Sequence, residues 1–330
     1  MKTFKLPKAE PLLNIASYAR GGSRAADRLT PAQIDHIRLT VNRAPEVVVK
    51  VLSKGSSNLK AVGRHFDYIG RQGDLALESD DGYALTGRVG EALMDDWGLD
   101  IDELRPQANL AALPARKPMK LVHKLVFSMP AGTPPQKVLS AVRNFAREEF
   151  HGQHRYAMVL HTDEPHPHVH LVLRATSEDG LRLNIRKATL RHWRSQFAQQ
   201  LRDLGVPANA TERAVRGESR KSMKDGIYRA RQRRESTHTR TRAQDVATEM
   251  VASRGLPPEP GKRTLLSTRA AVLRGWRAAA ATLIQHGDRS LAADVVKFTD
   301  SFEQPLTDRE WIARSLLALS RARQRDAMTL

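Results

Sequence analysis

Residues 161–173 read His-Thr-Asp-Glu-Pro-His-Pro-His-Val-His-Leu-Val-Leu, and this pattern leaves the chain few options. A strand turns alternate side chains to opposite faces. Over 168–175, His168 and His170 therefore share one face, and Val169, Leu171 and Leu173 share the other. The aliphatic side packs on a core while two imidazoles project together. A second strand-like run, 156–161, ends on His161, and Thr162-Asp163-Glu164-Pro165-His166-Pro167 joins the two. Pairing the runs as antiparallel neighbours sets His161 beside His168 and His170. Three neutral imidazoles on a rigid sheet suit a divalent metal with open coordination positions.

Two blander readings compete. Single histidines are commonly surface or satisfied core residues, but here four of the chain's 12 fall within ten residues. A purely structural zinc site would want a fourth protein ligand, and the chain has no cysteine to supply one. His166 is the ambiguous member: it can ligate, orient a ligand, or donate to a leaving group.

Charge narrows the class of partner. Lys and Arg number 54 against 36 Asp and Glu, a net charge of +18. Such a field attracts polyanions through phosphate contacts and counterion release. The competing reading is a basic protein without a nucleic-acid role. Aromatic residues are only 5% of the chain, so an extended base-stacking platform is not indicated. The lack of cysteine removes disulfides and thiolate metal sites and fits a reducing compartment. No run of eighteen uncharged apolar residues marks a membrane span, and the first residues lack the apolar core of a secretory signal.

The order of segments predicts three parts: a basic N-terminal extension (1–46), a domain over 47–245 and a helical C-terminal domain (246–330). In the first part, Pro31 opens a short helix ending near Arg43. Strands are expected at 47–52 and 120–129, with a further short one at 184–186. Helices are expected over about 58–72, 90–97, 135–150 and 189–204. Residues 74–118 are acidic and turn-rich. Residues 213–242 are strongly basic, with Arg216, Arg220, Lys221, Lys224 and Arg229 among the cations. That stretch reads either as a track for the phosphates of a strand or as a solvated charged helix.

A metal that polarises phosphate needs a nucleophile. The helix over 58–72 offers Tyr68. Its apolar stripe is Leu59, Val62, Phe66 and Ile69. At about 100° per residue, Tyr68 lies roughly 140° from the stripe's centre, on a face shared with Arg64 and Arg71. Those cations suit phosphates. An ordinary surface tyrosine would occupy the same place, and Tyr83, Tyr156 and Tyr228 are rivals.

Three stretches now carry a resemblance. FDYIGRQGDLAL (66–77), KLVFSMPAGT (124–133) and HTDEPHPHVHLVL (161–173) resemble the nucleophile motif, the central strand and the metal motif of conjugative and mobilisation relaxases. These are His-hydrophobic-His endonucleases, and the likeness is to the branch of the T-DNA border endonuclease. The tyrosine precedes the histidine strand, as in relaxases and unlike rolling-circle replication initiators. The resemblance covers about residues 47–240. It implies an α+β fold with a five-stranded antiparallel sheet flanked by helices, to which a C-terminal helical unit is added. It implies nicking and rejoining of one DNA strand, with Tyr68 as nucleophile and His161, His168 and His170 as metal ligands. Asp163, Glu164 and His166, along with Asp67, are candidates for handling the tyrosine proton. Arg64, Arg71 and the basic stretch are candidate DNA contacts. Imidazole ligands favour Mn²⁺, Co²⁺ or Zn²⁺, whereas the family is associated with Mg²⁺ or Mn²⁺. The implied partners are single-stranded DNA at an origin of transfer, relaxosome accessory proteins and a type IV secretion coupling protein. The implied place is the bacterial cytoplasm, with transport to the recipient alongside DNA.

Rival classes remain open at this point. His166-Pro-His168-Val-His170-Leu-Val also fits a histidine-triad nucleotide hydrolase or transferase, which needs no metal. A replication initiator would use Tyr228. A DNA-binding scaffold with a degenerate site would form no covalent adduct.

Overall fold

The computed structural model describes residues 29–52, 57–108, 119–219, 227, 230, 233, 236–253, 255–257 and 259–328. The chain divides into two compact units, one of residues 42–210 and one that joins 29–41 to 211–328 among the described residues.

Helix α1 (Pro31–Val41) comes first. Residues 42–210 then run β1 (Val48–Leu52), α2 (Leu59–Ile69), β2 (Leu77–Ser79), β3 (Ala84–Leu85), α3 (Gly90–Asp96) and α4 (Leu99–Ala108). They continue with β4 (Val122–Ser128), α5 (Pro135–Phe150), β5 (Tyr156–His161), β6 (His168–Arg174) and α6 (Lys187–Asp203). The strands form one six-stranded sheet in the order β1-β4-β6-β5-β2-β3, each pairing antiparallel. The α+β class with an antiparallel sheet between helices is as the sequence implies, but there are six strands rather than five. The extra pieces are the short β2–β3 hairpin on the far side of β5.

Strand alternation decides what each face buries. Val169, Leu171 and Leu173 point to one face with Val49, Leu125 and Phe127, and α5 and α6 cover them with Val142, Phe145, Phe150, Trp193 and Phe197. The rings meet edge-on: Phe127 lies 5.2 Å from Phe197, and Phe150 lies 5.5 Å from Trp193. Full burial of each such ring stabilises by roughly 1.5–3 kcal/mol. On the opposite face Val122, Ala157, Val159 and Val172 meet Val62, Phe66 and Ile69 of α2 and Trp97 beyond α3. This second face carries the histidines.

The acidic stretch supplies counter-charges. Arg155 pairs with Asp80, Asp81 and Asp96, tying β5 to the β2–β3 turn and to α3. Arg143 of α5 forks onto Glu78 at 2.5 and 2.7 Å, and Arg174 holds the buried Asp102 at 3.1 Å.

Two local expectations are corrected. Residues 184–186 form no strand. Instead Thr176 bridges Arg182, and Leu183 donates its N–H to Ala175 at 2.9 Å. Helix α2 stops at Ile69 rather than at Gln72.

The second unit is helical: α1, α7 (Thr237–Ala252), α8 (Pro260–Gln285), α9 (Arg289–Asp300) and α10 (Asp308–Met328). Its core gathers Ile37, Val272, Trp276, Leu283, Val295 and Phe298. The Trp276 indole satisfies its N–H on the Val215 carbonyl at 2.9 Å. No helix among the described residues is long and apolar enough to cross a membrane.

Candidate active site

The β5–β6 register sets His161 opposite His168, and β4 sets Val126 opposite His170. Ring centroids lie 5.2 Å apart for His161–His168, 4.7 Å for His161–His170 and 5.3 Å for His168–His170. One nitrogen from each ring falls within 4.8 Å of the others.

The protein fixes which nitrogens face the cluster. His161, only 2% exposed, presents Nε2 to the Ile69 carbonyl at 2.7 Å. A carbonyl only accepts, so Nε2 carries the proton and Nδ1 keeps its lone pair. His168 donates Nδ1–H to the His166 carbonyl at 3.1 Å, which leaves Nε2 as its lone pair. His170 is 7% exposed, and its Nδ1 is buried without a hydrogen-bond partner. Burial, reinforced by His161 and His168, pulls its pKa down to about 3, so the ring is neutral at physiological pH. Burial likewise lowers His161, helped by Arg71 and His168. His161 and His168, each oriented through one ring nitrogen by a backbone carbonyl, offer together with His170 a donor set that suits a metal ion. An orphaned buried nitrogen beside them fits the same reading, since such atoms are costly unless something binds them.

Helix α2 begins at Leu59 because the Asn58 side chain accepts from Ala61 N–H, a standard N-cap. Its apolar stripe packs down, and Tyr68 stands out at 55% exposure. Three groups surround the phenol ring. His65 lies nearly parallel at 6.3 Å, His170 lies edge-on at 6.4 Å, and the Arg71 guanidinium carbon lies 5.4 Å from the ring centre. Tyr68 is thus next to a member of the histidine cluster.

Arg71 reaches this place by a route that helical periodicity does not foresee. After Gly70 the backbone reverses, with φ of +52° at Arg71, +60° at Gln72 and +105° at Gly73. Each non-glycine held in the left-handed region costs on the order of 1–3 kcal/mol. The turn is also tight, because a Cβ at Gly73 would lie 2.9 Å from the Gly87 carbonyl carbon. Arg71 then lies 3.2 Å from His161 Nδ1 and forms an ion pair with Asp163.

The other expected site residues distribute as follows. Arg64 is exposed on α2 and donates Nε to the Lys60 carbonyl at 3.4 Å. Glu164 and His166 are exposed on the loop between the strands. Arg216 lies in the second unit, on Glu218 at 3.0 Å and on the Thr211 carbonyl at 2.5 Å. Arg220, Lys221, Lys224, Arg229 and Tyr228 lie outside the described residues. Tyr83 is exposed, and Tyr156 is buried with its pKa pushed up to about 12 by burial.

Two neighbours were not foreseen. His65, one helical turn before Tyr68, lies 6.1 Å from His170 and is held to a pKa of about 4 by burial, Lys124 and His161. Its spacing of three from Tyr68 was the available signal. Lys124, 3% exposed on β4, points Nζ at the Ala61 carbonyl of α2 at 3.4 Å, and burial draws its pKa to about 8.

Residues 84–206 match the family described as "Relaxase: MobA/VirD2-like, nuclease domain". Over that span the chain is similar to a relaxase nuclease domain of the MobA/VirD2-like kind. The matched span contains all three histidines and begins after Tyr68. The chain is also similar to the T-DNA border endonuclease VirD2 of Rhizobium rhizogenes, 24% identical over 246 residues, which is 66% of this chain and 51% of that protein. The VirD2 of Agrobacterium fabrum is 23% identical over 246 residues, again 66% of this chain and 50% of the relative. The chain spans about half the length of the curated relatives it matches.

Proposed function

We propose that this protein nicks and rejoins single-stranded DNA through a covalent tyrosyl intermediate at a histidine-bound divalent metal. One juxtaposition carries the proposal: Tyr68 packs edge-on at 6.4 Å against His170, within a cluster whose ring nitrogens converge within 4.8 Å. The relaxase domain and the likeness to T-DNA border endonucleases support it.

His161, His168 and His170 would hold the ion. When bound, it would withdraw charge from the non-bridging oxygens of the scissile phosphate. Tyr68 Oη attacks phosphorus, the bond from phosphorus to the 3′ oxygen breaks, and the DNA 5′ end remains esterified to Tyr68. The phenol proton passes to a base, and the departing 3′ oxygen gains a proton to become a hydroxyl. Asp67, Asp163, Glu164 and His166 are the proposed proton carriers. The ester retains the energy of the broken bond, so a 3′-hydroxyl can reverse the step and reseal the strand. Arg64 and Arg71 beside Tyr68 are proposed to hold flanking phosphates. Arg216, Arg220, Lys221, Lys224 and Arg229 are proposed to follow the strand further along.

Imidazole donors favour Mn²⁺, Co²⁺ or Zn²⁺ over Mg²⁺, while the relaxase relationship points to Mg²⁺ or Mn²⁺. Mn²⁺ satisfies both arguments. By the same relationship we propose DNA at an origin of transfer as substrate, with relaxosome accessory proteins and a type IV secretion coupling protein as partners. Action in the bacterial cytoplasm followed by passage with the DNA completes the reading.

The test mixes the protein with a pool of random single-stranded DNA and Mn²⁺ and reads the protein–DNA adduct on a denaturing gel. An adduct that needs metal and vanishes in Tyr68→Phe supports the proposal. Persistence in Tyr68→Phe transfers the nucleophile to another tyrosine, with Tyr228 next. Nucleotide hydrolysis that survives EDTA would instead favour the histidine-triad reading.

A further inference from the structure

The Ile69 carbonyl, by taking the proton of His161 Nε2, leaves Nδ1 as the ring's lone pair. That lone pair is where a metal would bind this ligand, and a side chain already lies on it. Arg71 places its terminal nitrogen 3.2 Å from His161 Nδ1. A single lone pair cannot serve a guanidinium and a metal ion together, and two cations at that spacing repel.

The arrangement is built rather than incidental. Arg71 and Gln72 both adopt left-handed backbone conformations, at φ +52° and +60°. Gly73 continues the turn where a Cβ would collide with Gly87. The ion pair with Asp163 and the contact with the Tyr68 ring fix the guanidinium from two further sides. Tyr68, Arg71 and His161 are thereby joined by one side chain.

We infer that Arg71 is a placeholder for the metal: it occupies His161 Nδ1 until an ion enters, and the displaced guanidinium then becomes the cation that positions the DNA phosphate beside Tyr68. This inference rests on the proposed metal role of the histidines. While Arg71 caps Nδ1, the neutral His161 ring has its hydrogen bond and is not left with an uncompensated acceptor. When Arg71 leaves, it remains within reach of Asp163 and of the face that Tyr68 presents to solvent. Metal loading and phosphate binding are then successive uses of the same turn.

The consequence is a reversed expectation for a cationic residue at a phosphate-processing site. Removing Arg71 should tighten metal binding in the DNA-free protein while weakening DNA binding. Mn²⁺ affinity is measured by calorimetry on the full chain for wild type, Arg71→Ala, Arg71→Gln and His168→Ala. Fluorescence anisotropy reads single-stranded DNA affinity of the same substitutions in a Tyr68→Phe background at saturating Mn²⁺, and circular dichroism reports folding. We expect Mn²⁺ to bind at least about tenfold tighter to Arg71→Ala and Arg71→Gln than to wild type, with DNA affinity lowered and His168→Ala failing to bind the ion. Equal or weaker Mn²⁺ binding by both folded Arg71 variants overturns the placeholder role and leaves the metal reading standing. Binding by neither wild type nor the Arg71 variants overturns the metal reading and the placeholder with it. If Arg71→Ala fails to fold, the more conservative, uncharged Arg71→Gln decides.

Discussion

The carbonyl of Ile69 and Nε2 of His161 meet at 2.7 Å, joining the last residue of the tyrosine helix to a histidine 92 positions further along. This hydrogen bond does two things. It sets the tautomer of His161, and it anchors the helix end that carries Tyr68. Tyr68 and His161 are therefore aligned through backbone geometry, not through a direct contact between their functional atoms.

Tyr68→Phe should abolish the covalent adduct while leaving the fold and the ion unaffected. The phenol ring is more than half exposed, and no hydrogen bond anchors its hydroxyl among the described contacts. Loss of an exposed hydroxyl changes stability by less than about 0.5 kcal/mol. Thermal unfolding and Mn²⁺ titration of the variant should match wild type. A large drop in either would assign Tyr68 a structural part instead.

His170→Leu should cost function and not stability. In the metal-free protein His170 buries an imidazole nitrogen without a partner, a burden of about 1–3 kcal/mol that leucine removes. In EDTA the variant should melt at or above the wild-type temperature. With saturating Mn²⁺ only wild type should gain stability, since ligand binding to the native state alone raises it. A strongly destabilised variant in EDTA would contradict this.

Gly73→Ala should lower stability by about 1–3 kcal/mol. The residue has φ +105°, and its new methyl would press on the Gly87 backbone at 2.9 Å. Gly82→Ala is the comparison: it shares a positive φ, +82°, but meets nothing within 4 Å. Chemical denaturation of the two variants should rank Gly73→Ala as the more damaging. The reverse order would show that the turn relaxes freely.

Acid should weaken the fold between pH 6.5 and about 4 through His123. Burial, with Lys120 and Arg182 nearby, depresses this histidine from 6.5 to about 4, although its hydrogen bond to Leu183 opposes the change. Across that window the unfolded chain binds a proton that the folded chain refuses, so stability falls as pH falls. The shift corresponds to on the order of 3 kcal/mol. His123→Gln should flatten the dependence of urea midpoint on pH in this range. An unchanged slope would remove His123 as the cause.

The parts legible in the sequence were those with an uninterrupted period. Alternation over 168–173 fixed both the hairpin and the shared face of His168 and His170, and the structure pairs the strands in that way. The stripe Leu59, Val62, Phe66 and Ile69 likewise buries as one side of α2. Period fails where the backbone changes hand. Continuing the helix to Gln72 put Arg71 on the correct side of Tyr68 for an incorrect reason, since a left-handed turn brings it there. Strands of three and two residues are too short to show alternation, so β2 and β3 were hidden in a stretch whose acidic residues serve Arg143 and Arg155. Lys124 was read only as part of a strand, because burial of a cation has no local signature.

All three histidines belong to one β-hairpin spanning 156–174. The proposed metal-binding set is thus a short-range property of the chain, complete as soon as two neighbouring strands pair. The proposed nucleophile, Tyr68, is a long-range one, arriving only when a helix from far upstream docks, and such distant contacts are slow to form because they must first close a long loop. During folding, the histidine half of the site can therefore exist before Tyr68 joins it. On the proposed function, a nascent or partly unfolded molecule would capture metal without being able to break DNA.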